Sequence, residues 1–232
     1  MLTLPTNLKI DSSGKKKHFI LMGLSALSCN EIFAHTINYV LDKKPSGSIT
    51  YEYIVEGFKH ILPLGLDHIL FVTCVFFLGK NIREIILQAS MFTIAHTITL
   101  GLATYGIINP PIEWIEPIIA LSIVFLALEN FMSEKIQKWR FIMIFSFGLV
   151  HGMGFASALD QLGMPRYAFM NALISFNIGV ELGQIAVITA LYLIFGHWFS
   201  AQPWYRKRIV QPISLCIAMV AFYWTIQRIG WI

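Results

Sequence analysis

Histidine and acidic residues interrupt long apolar stretches of this sequence, and they are the side chains best suited to carry chemistry. A charged group at the centre of a bilayer costs about 2.5–3.5 kcal/mol on insertion scales, so such residues need a partner or a functional reason. Imidazole and carboxylate together suit nickel, cobalt, zinc, iron or copper, whereas magnesium and calcium prefer oxygen ligands. The predicted metal ligands are His60, Asp67, His68, His96, His151 and Glu181.

A second group of polar residues extends this candidate site along the same stretches. His60 lies toward one end of its apolar stretch, and Glu129 lies toward the opposite end of another. Together they indicate a polar path from the outer to the inner side. The residues predicted to support this path are Glu129, Asn130, Asn177 and Gln184.

The composition determines which elements must carry these residues. The chain has 232 residues, of which 56% are apolar and only 13% charged, and its mean hydropathy is +0.65. These values exclude a disordered chain, a coiled coil and almost any soluble enzyme. The apolar segments do not alternate as barrel strands would, so we predict an all-α polytopic membrane protein. Its bundle of six transmembrane helices is predicted over residues 57–78, 84–106, 114–132, 141–160, 168–195 and 209–229.

The predicted helices place most of the ionisable residues at one depth. A helix rises about 1.5 Å per residue, so residues near the midpoints of different spans share a thin layer. Asp67 lies in this layer, and Pro63 and Gly65 beside it are expected to loosen the first helix. The other members of the layer are His68, His96, His151 and Glu181.

The N-terminal segment has the pattern of an export signal. Three lysines at 15–17 precede an apolar run that is too short to span a bilayer comfortably. We predict a signal peptide over residues 1–34 with cleavage after Ala34, and an uncleaved signal-anchor is the alternative. An exported connector over 35–51 and a transmembrane domain over 52–232 would follow.

Basic residues predict the orientation in the membrane. With residue 35 outside, Lys and Arg concentrate in the inner loops, which is the positive-inside pattern. We therefore predict a multi-pass protein of the inner (plasma) membrane with its mature N-terminus outside. The formal charge of +4 reflects loops, and no basic cluster with stacking aromatics indicates nucleic-acid binding. The inner residues are Lys80, Arg83, Lys135, Lys138, Arg140, Arg206, Lys207 and Arg208, and the outer ones are Arg166 and Arg228.

The residues alone leave three functions open. A divalent-metal permease needs ligands toward both sides, and the path from His60 to Glu129 favours it. A membrane-embedded zinc-dependent hydrolase would use the same cluster, with Glu181 as general base. A metal-free proton relay or a bis-histidine haem carrier is the third, although haem would leave the carboxylates without a role.

Several segments of the sequence resemble the HupE/UreJ family of nickel permeases. The resemblance covers roughly residues 52–195 and implies a secondary transporter, rather than an enzyme, for nickel or a related metal. It also implies a client metalloenzyme such as hydrogenase or urease, with Asp67 and His68 as the leading metal contacts. The matching segments are HILPLGLDH at 60–68, FTIAHTITL at 92–100, IALS at 119–122, EN at 129–130, FGLVHGMGFA at 147–156 and FNIGVELGQ at 176–184.

Overall fold

A computed structural model describes residues 46–79, 81–109, 111–133, 136–162 and 164–230. Over these residues the chain forms helices and turns, and no strand occurs among them. The predicted signal peptide and most of the predicted connector lie outside the described residues.

The helices are numbered here in chain order. They are α1 (Ser46–Ile61), α2 (Leu66–Leu78), α3 (Ile82–Thr104), α4 (Ile112–Met132), α5 (Lys138–Leu162), α6 (Phe169–Leu191), α7 (His197–Phe199) and α8 (Gln211–Ile229). A 3-10 turn (Arg166–Ala168) precedes α6, and π-helical turns (Tyr192–Gly196 and Arg206–Val210) precede α7 and α8.

Within the described ranges, five stretches of helix are long and apolar enough to cross a membrane. They confirm the all-α polytopic fold. A sixth crossing exists if α1 and α2 count as one span, but these two helices meet at a bend of 72°. The predicted first span over 57–78 is therefore a broken pair, not one straight helix. The five stretches are Ile82–Thr104, Ile112–Met132, Lys138–Ala156, Phe169–Phe199 and Arg206–Ile229.

The bend between α1 and α2 follows from the residues at 62–65. Pro63 has no backbone N–H to donate within a helix. A Cβ at Gly65 would collide with the carbonyl oxygen of His60, so the close approach at this point requires glycine. The break turns the end of α1 against the start of α2 and places the His60 and His68 rings 4.6 Å apart, centroid to centroid.

Helix α2 lies at the centre of the bundle. Its side chains from Phe71 to Leu78 are all buried. Around it, the most extensive helix contacts join α1 with α6, α3 with α5 and α4 with α8. The outer faces are apolar, as the exposed stripe on α4 illustrates, and they form the surface that lipid covers. This stripe consists of Ile118, Leu121, Phe125 and Leu128.

Glycines allow α3 and α5 to approach with their backbones in contact. A Cβ at Gly148 would meet the carbonyl oxygen of Phe92, and a Cβ at Gly152 would collide with the carbonyl oxygen of His96. Small residues at a helix interface permit this close packing inside a membrane. The contact fixes the position of α3, which carries His96.

Substituting Gly152 with alanine is expected to destabilise the fold by about 1–3 kcal/mol, the usual cost of overpacking. The added methyl group would collide with the His96 carbonyl and the Thr99 hydroxyl. Denaturant titration of the purified protein in mixed micelles measures the change. Gly154→Ala on the same helix is the matched control, because its methyl group would press mainly on the flexible end of Ile119. Equal stability of the two variants would contradict the close contact.

Candidate metal centre

Three histidines from three helices meet in the interior of the bundle. His60 lies in the last turn of α1, His68 in the first turn of α2 and His96 within α3. One ring nitrogen from each lies within 4.8 Å of the other two. Three nitrogens bound to one ion at about 2.1 Å lie about 3.4–3.6 Å apart, so the rings must move together by about 1 Å to hold an ion.

The other ring nitrogen of two of these histidines is held by an acceptor. Nδ1 of His68 lies 3.2 Å from Oδ1 of Asp67, and Nδ1 of His96 lies 3.2 Å from Oδ1 of Asn177. The Asn177 amide donates to the Leu173 carbonyl at 2.8 Å, which directs its oxygen toward His96. Because these oxygens accept a hydrogen bond from Nδ1–H, the proton stays on Nδ1 and the lone pair of each ring is on Nε2, where a metal would bind.

A fourth imidazole joins the cluster from α5. The His151 ring lies 5.1 Å from the His68 ring, and its Nδ1 is 3.1 Å from the Phe147 carbonyl oxygen, which acts as its acceptor. The Nε2 atoms of all four histidines are buried, and no described residue hydrogen-bonds to any of them. Buried polar atoms nearly always have partners, so four such nitrogens in one place are typical of a ligand site.

A cavity of about 140 Å³ adjoins the histidines. Glu116 lies near the start of α4 and Arg228 near the end of α8, so the cavity extends toward these two helix ends. The Arg228 guanidinium donates to the Glu116 backbone carbonyl at 3.1 Å, which ties the two ends together. The polar residues that line the cavity are His60, Asp67, His68, Glu116, His151 and Arg228.

Phenyl rings enclose the histidines on their other sides. The Phe155 ring lies 3.8 Å from the His60 ring, and the Phe92 ring lies 4.9 Å from that of His151. Both distances are between ring centroids. An apolar shell of this kind limits the access of water and strengthens the interaction between a bound ion and its ligands.

A family model described as HupE / UreJ protein matches residues 37–228. This chain belongs to the HupE/UreJ family. The match covers nearly all of the described residues and confirms the resemblance found in the sequence. No curated protein and no solved structure matches the chain. A HupE/UreJ protein with several membrane-crossing helices fits a membrane metal permease.

In this HupE/UreJ protein, the polar face of α6 packs against α3. The Ser90 hydroxyl donates to Oε1 of Glu181 at 2.6 Å, and Nε2 of Gln184 donates to the Thr93 hydroxyl at 3.2 Å. Asn177, on the same face, holds the histidine of α3 as described above. The structure thus places Asn177 at the cluster and leaves Glu181 outside the group of three histidines.

The Glu129–Asn130 pair lies in a different cluster, built on Arg140. The Arg140 side chain is fully buried and forms an ion pair with Glu129. It also donates to Oε1 of Gln88 at 2.8 Å and to the Cys74 carbonyl at 3.1 Å, and Asn130 donates to that carbonyl at 2.8 Å. The prediction that Arg140 lies in an inner loop is wrong. Arg140 lies in α5, and its buried side chain connects this helix to α2, α3 and α4.

Replacing Asn177 with alanine is expected to weaken divalent-metal binding by about 10–100-fold, the usual cost of losing the group that orients a metal-binding histidine. Without the amide oxygen of Asn177, His96 loses the acceptor that fixes its tautomer. Titration calorimetry of the purified protein with Ni²⁺ measures the effect. Asn171→Ala is the matched control, because Asn171 lies on the same helix and bonds Thr50 instead. Equal affinities of the two variants would contradict the orienting role.

Proposed function

We propose that this protein is a secondary transporter, a permease, for a divalent transition metal, with nickel as the first candidate. The cargo ion is bound near the membrane midplane by Nε2 of His60, His68 and His96, with Asp67 and His151 beside it. The observation that carries the proposal is the cluster of four histidines whose buried Nε2 atoms no described residue hydrogen-bonds, three of which bring ring nitrogens within 4.8 Å of one another. Three of the four rings have their Nδ1 atoms held by acceptors, which prepares Nε2 as a ligand.

The proposal leaves Glu181 out of this first coordination shell. Its carboxylate bonds Ser90, which lies six residues from His96, or about 9 Å along α3. The ligand set is therefore rich in nitrogen, with one carboxylate nearby. Such a set favours nickel, cobalt, zinc or copper over magnesium and calcium. Membership of the HupE/UreJ family supports nickel as the first candidate among these ions.

The surroundings of the cluster support passage from the outside inward. With the mature N-terminus outside the inner (plasma) membrane, as we propose, Glu116 and Arg228 lie at the outer face, and the cavity beside Asp67 opens toward them. Toward the inner face, the Arg140–Glu129 ion pair lies across the polar path expected from the sequence. In this proposal the cargo enters past His60 and Asp67, and its release inward requires a rearrangement around Arg140.

The zinc-dependent hydrolase is the second candidate for the same histidines. A hydrolase needs a general base within hydrogen-bond reach of the metal-bound water. Glu181, the residue that the sequence suggested for that role, hydrogen-bonds Ser90 instead. The permease therefore ranks first. Stoichiometric zinc that survives chelation, in a protein that takes up no metal, would reverse this order.

Uptake into liposomes that contain the purified protein tests the proposal. We expect saturable uptake of Ni²⁺, compared in parallel with Co²⁺ and Zn²⁺, and at least about a 10-fold lower rate for Asp67→Ala. His197→Ala is the control, because His197 is an exposed histidine outside the cluster. A folded protein that binds Ni²⁺ but transports none of the three metals would overturn the proposal, as would full activity of Asp67→Ala.

A further inference from the structure

Glu181 forms no ion pair within the described part of the chain. Its Oε1 accepts a hydrogen bond from Ser90, but its Oε2 is buried and has no partner among the described residues. The ion pairs found in those residues involve other carboxylates. A carboxyl oxygen buried within a membrane span is costly without a partner, so Oε2 of Glu181 is a candidate ligand atom for a cation.

Glu129 provides the contrast within the same bundle. Its side chain is buried in a membrane-crossing helix, and Arg140 supplies the positive charge. The fold thus pairs Glu129 with its own guanidinium and gives Glu181 no such partner among the described residues.

A second group without a partner lies one helical turn from Glu181. Gln184 is fully buried, and its Nε2 donates to the Thr93 hydroxyl, but its Oε1 has no partner among the described residues. A buried amide oxygen without a donor is rare in folded proteins. Two acceptor oxygens on one face of α6 therefore lack a positive partner.

Two hydrogen bonds between α3 and α6 bring these residues into one group. Ser90 bonds Glu181, and Thr93 bonds Gln184. Ser90 and Thr93 lie one turn apart on α3, and Glu181 and Gln184 lie one turn apart on α6. The four side chains therefore form a contiguous polar group between the two helices.

We propose that Glu181 and Gln184, together with the Ser90 and Thr93 hydroxyls, form a second cation site, and that its ligand is sodium. All four ligand atoms are oxygens, and such a set suits a hard cation and not the metals that prefer imidazole. One carboxylate balances one positive charge, and the neutral amide and hydroxyl oxygens complete the shell. The site is next to the histidine cluster but distinct from it. Ser90 and Thr93 lie about 9 Å and about 4.5 Å from His96 along α3, and the group of three histidines includes no residue of this site.

The existence of this site does not depend on the metal that the histidines bind. A role for sodium as the coupling ion rests on the proposed permease function, since coupling ions of secondary transporters bind near the midplane beside the cargo. Sodium bound at this site would then favour one position of α3, the helix that also carries the cargo ligand His96.

Sodium binding to the full-length protein in detergent, measured with ²²Na⁺ at constant ionic strength with choline as the replacement cation, tests the proposal. We expect saturable binding of one Na⁺ per chain, and a rise in the unfolding temperature with Na⁺ that choline does not produce. Glu181→Gln and Gln184→Leu should each weaken binding by at least about 10-fold. Glu113→Gln, which changes an exposed glutamate at the start of α4, should bind Na⁺ normally.

A variant of the other site separates this proposal from the proposed function. His96→Leu should lose Ni²⁺ binding and keep Na⁺ binding. The sodium site is overturned if choline and Na⁺ stabilise the protein equally or if Na⁺ binding survives in both Glu181→Gln and Gln184→Leu. It is also overturned if stabilisation follows acidification instead of Na⁺, because a proton would then be the cation at Glu181. Should a variant fail to fold, the comparison of Na⁺ with choline on the unaltered protein still decides.

Discussion

Replacing His96 with leucine is expected to weaken Ni²⁺ binding by more than about 100-fold, since loss of an orienting partner alone costs about 10–100-fold. Leucine fills a similar volume, so the packing between α3 and α5 is retained while one nitrogen ligand is lost. His96 is fully buried, and no described residue hydrogen-bonds to its Nε2. Titration calorimetry on the purified protein measures the change in affinity.

Two comparisons make the His96 result specific. The loss should exceed that of Asn177→Ala, because a ligand matters more than the group that orients it. His197→Leu, the same substitution at an exposed histidine outside the cluster, should bind Ni²⁺ with unchanged affinity. An unchanged affinity in His96→Leu would mean that the ion binds elsewhere, and the proposed site would fail.

Replacing Arg140 with methionine is expected to lower the free energy of unfolding by about 3–5 kcal/mol, the usual cost of removing one partner from a buried ion pair. The change leaves the Glu129 carboxylate buried without a cation and also removes the donors to Gln88 and the Cys74 carbonyl. Denaturant titration in mixed micelles, at one detergent composition for all variants, measures the loss.

The control for Arg140 lies two residues away. Lys138 is exposed at the start of the same helix, and Lys138→Met should change the stability by no more than about 0.5 kcal/mol. The double variant Arg140→Met with Glu129→Leu should recover much of the loss, because no unpaired charge then remains in the interior. If Arg140→Met were as stable as the unaltered protein, the claim that the buried Arg140 side chain holds the helices together would be contradicted.

Hydropathy was sufficient to predict the crossing helices. The predicted segments at 84–106 and 114–132 correspond to Ile82–Thr104 and Ile112–Met132. Their length and apolar character follow from the thickness of the bilayer and do not depend on which neighbours they pack against. The first span differs, because a proline and a glycine interrupt it: the sequence suggested a loosened helix at this point, and the structure has a bend of 72°.

Depth along the helices predicted part of the candidate site. Counting residues from the span midpoints placed His68, His96 and His151 in one layer, and the structure brings their rings together. Depth does not determine which residue of a neighbouring helix lies opposite a given histidine. The register of α6 against α3 sets Asn177, rather than Glu181, at His96, and this register depends on side-chain packing that no single segment reveals.

Arg140 illustrates a second limit of the sequence. An arginine near the end of a span either extends toward the headgroups or turns inward, and the hydropathy of the segment is the same in both cases. The inward direction depends on acceptors from other helices, here Glu129 of α4 and Gln88 of α3. These acceptors are distant in sequence, so only the tertiary structure reveals the cluster.

X-ray absorption spectroscopy at the nickel edge, on the purified protein loaded with one equivalent of Ni²⁺, tests the central claim most directly. We predict the multiple-scattering pattern of at least three imidazoles on one ion, reduced by one imidazole in His96→Leu and unchanged in His197→Leu. A shell of oxygen atoms alone in the unaltered protein, or an imidazole pattern that His96→Leu does not change, would contradict the claim that these histidines bind a single ion.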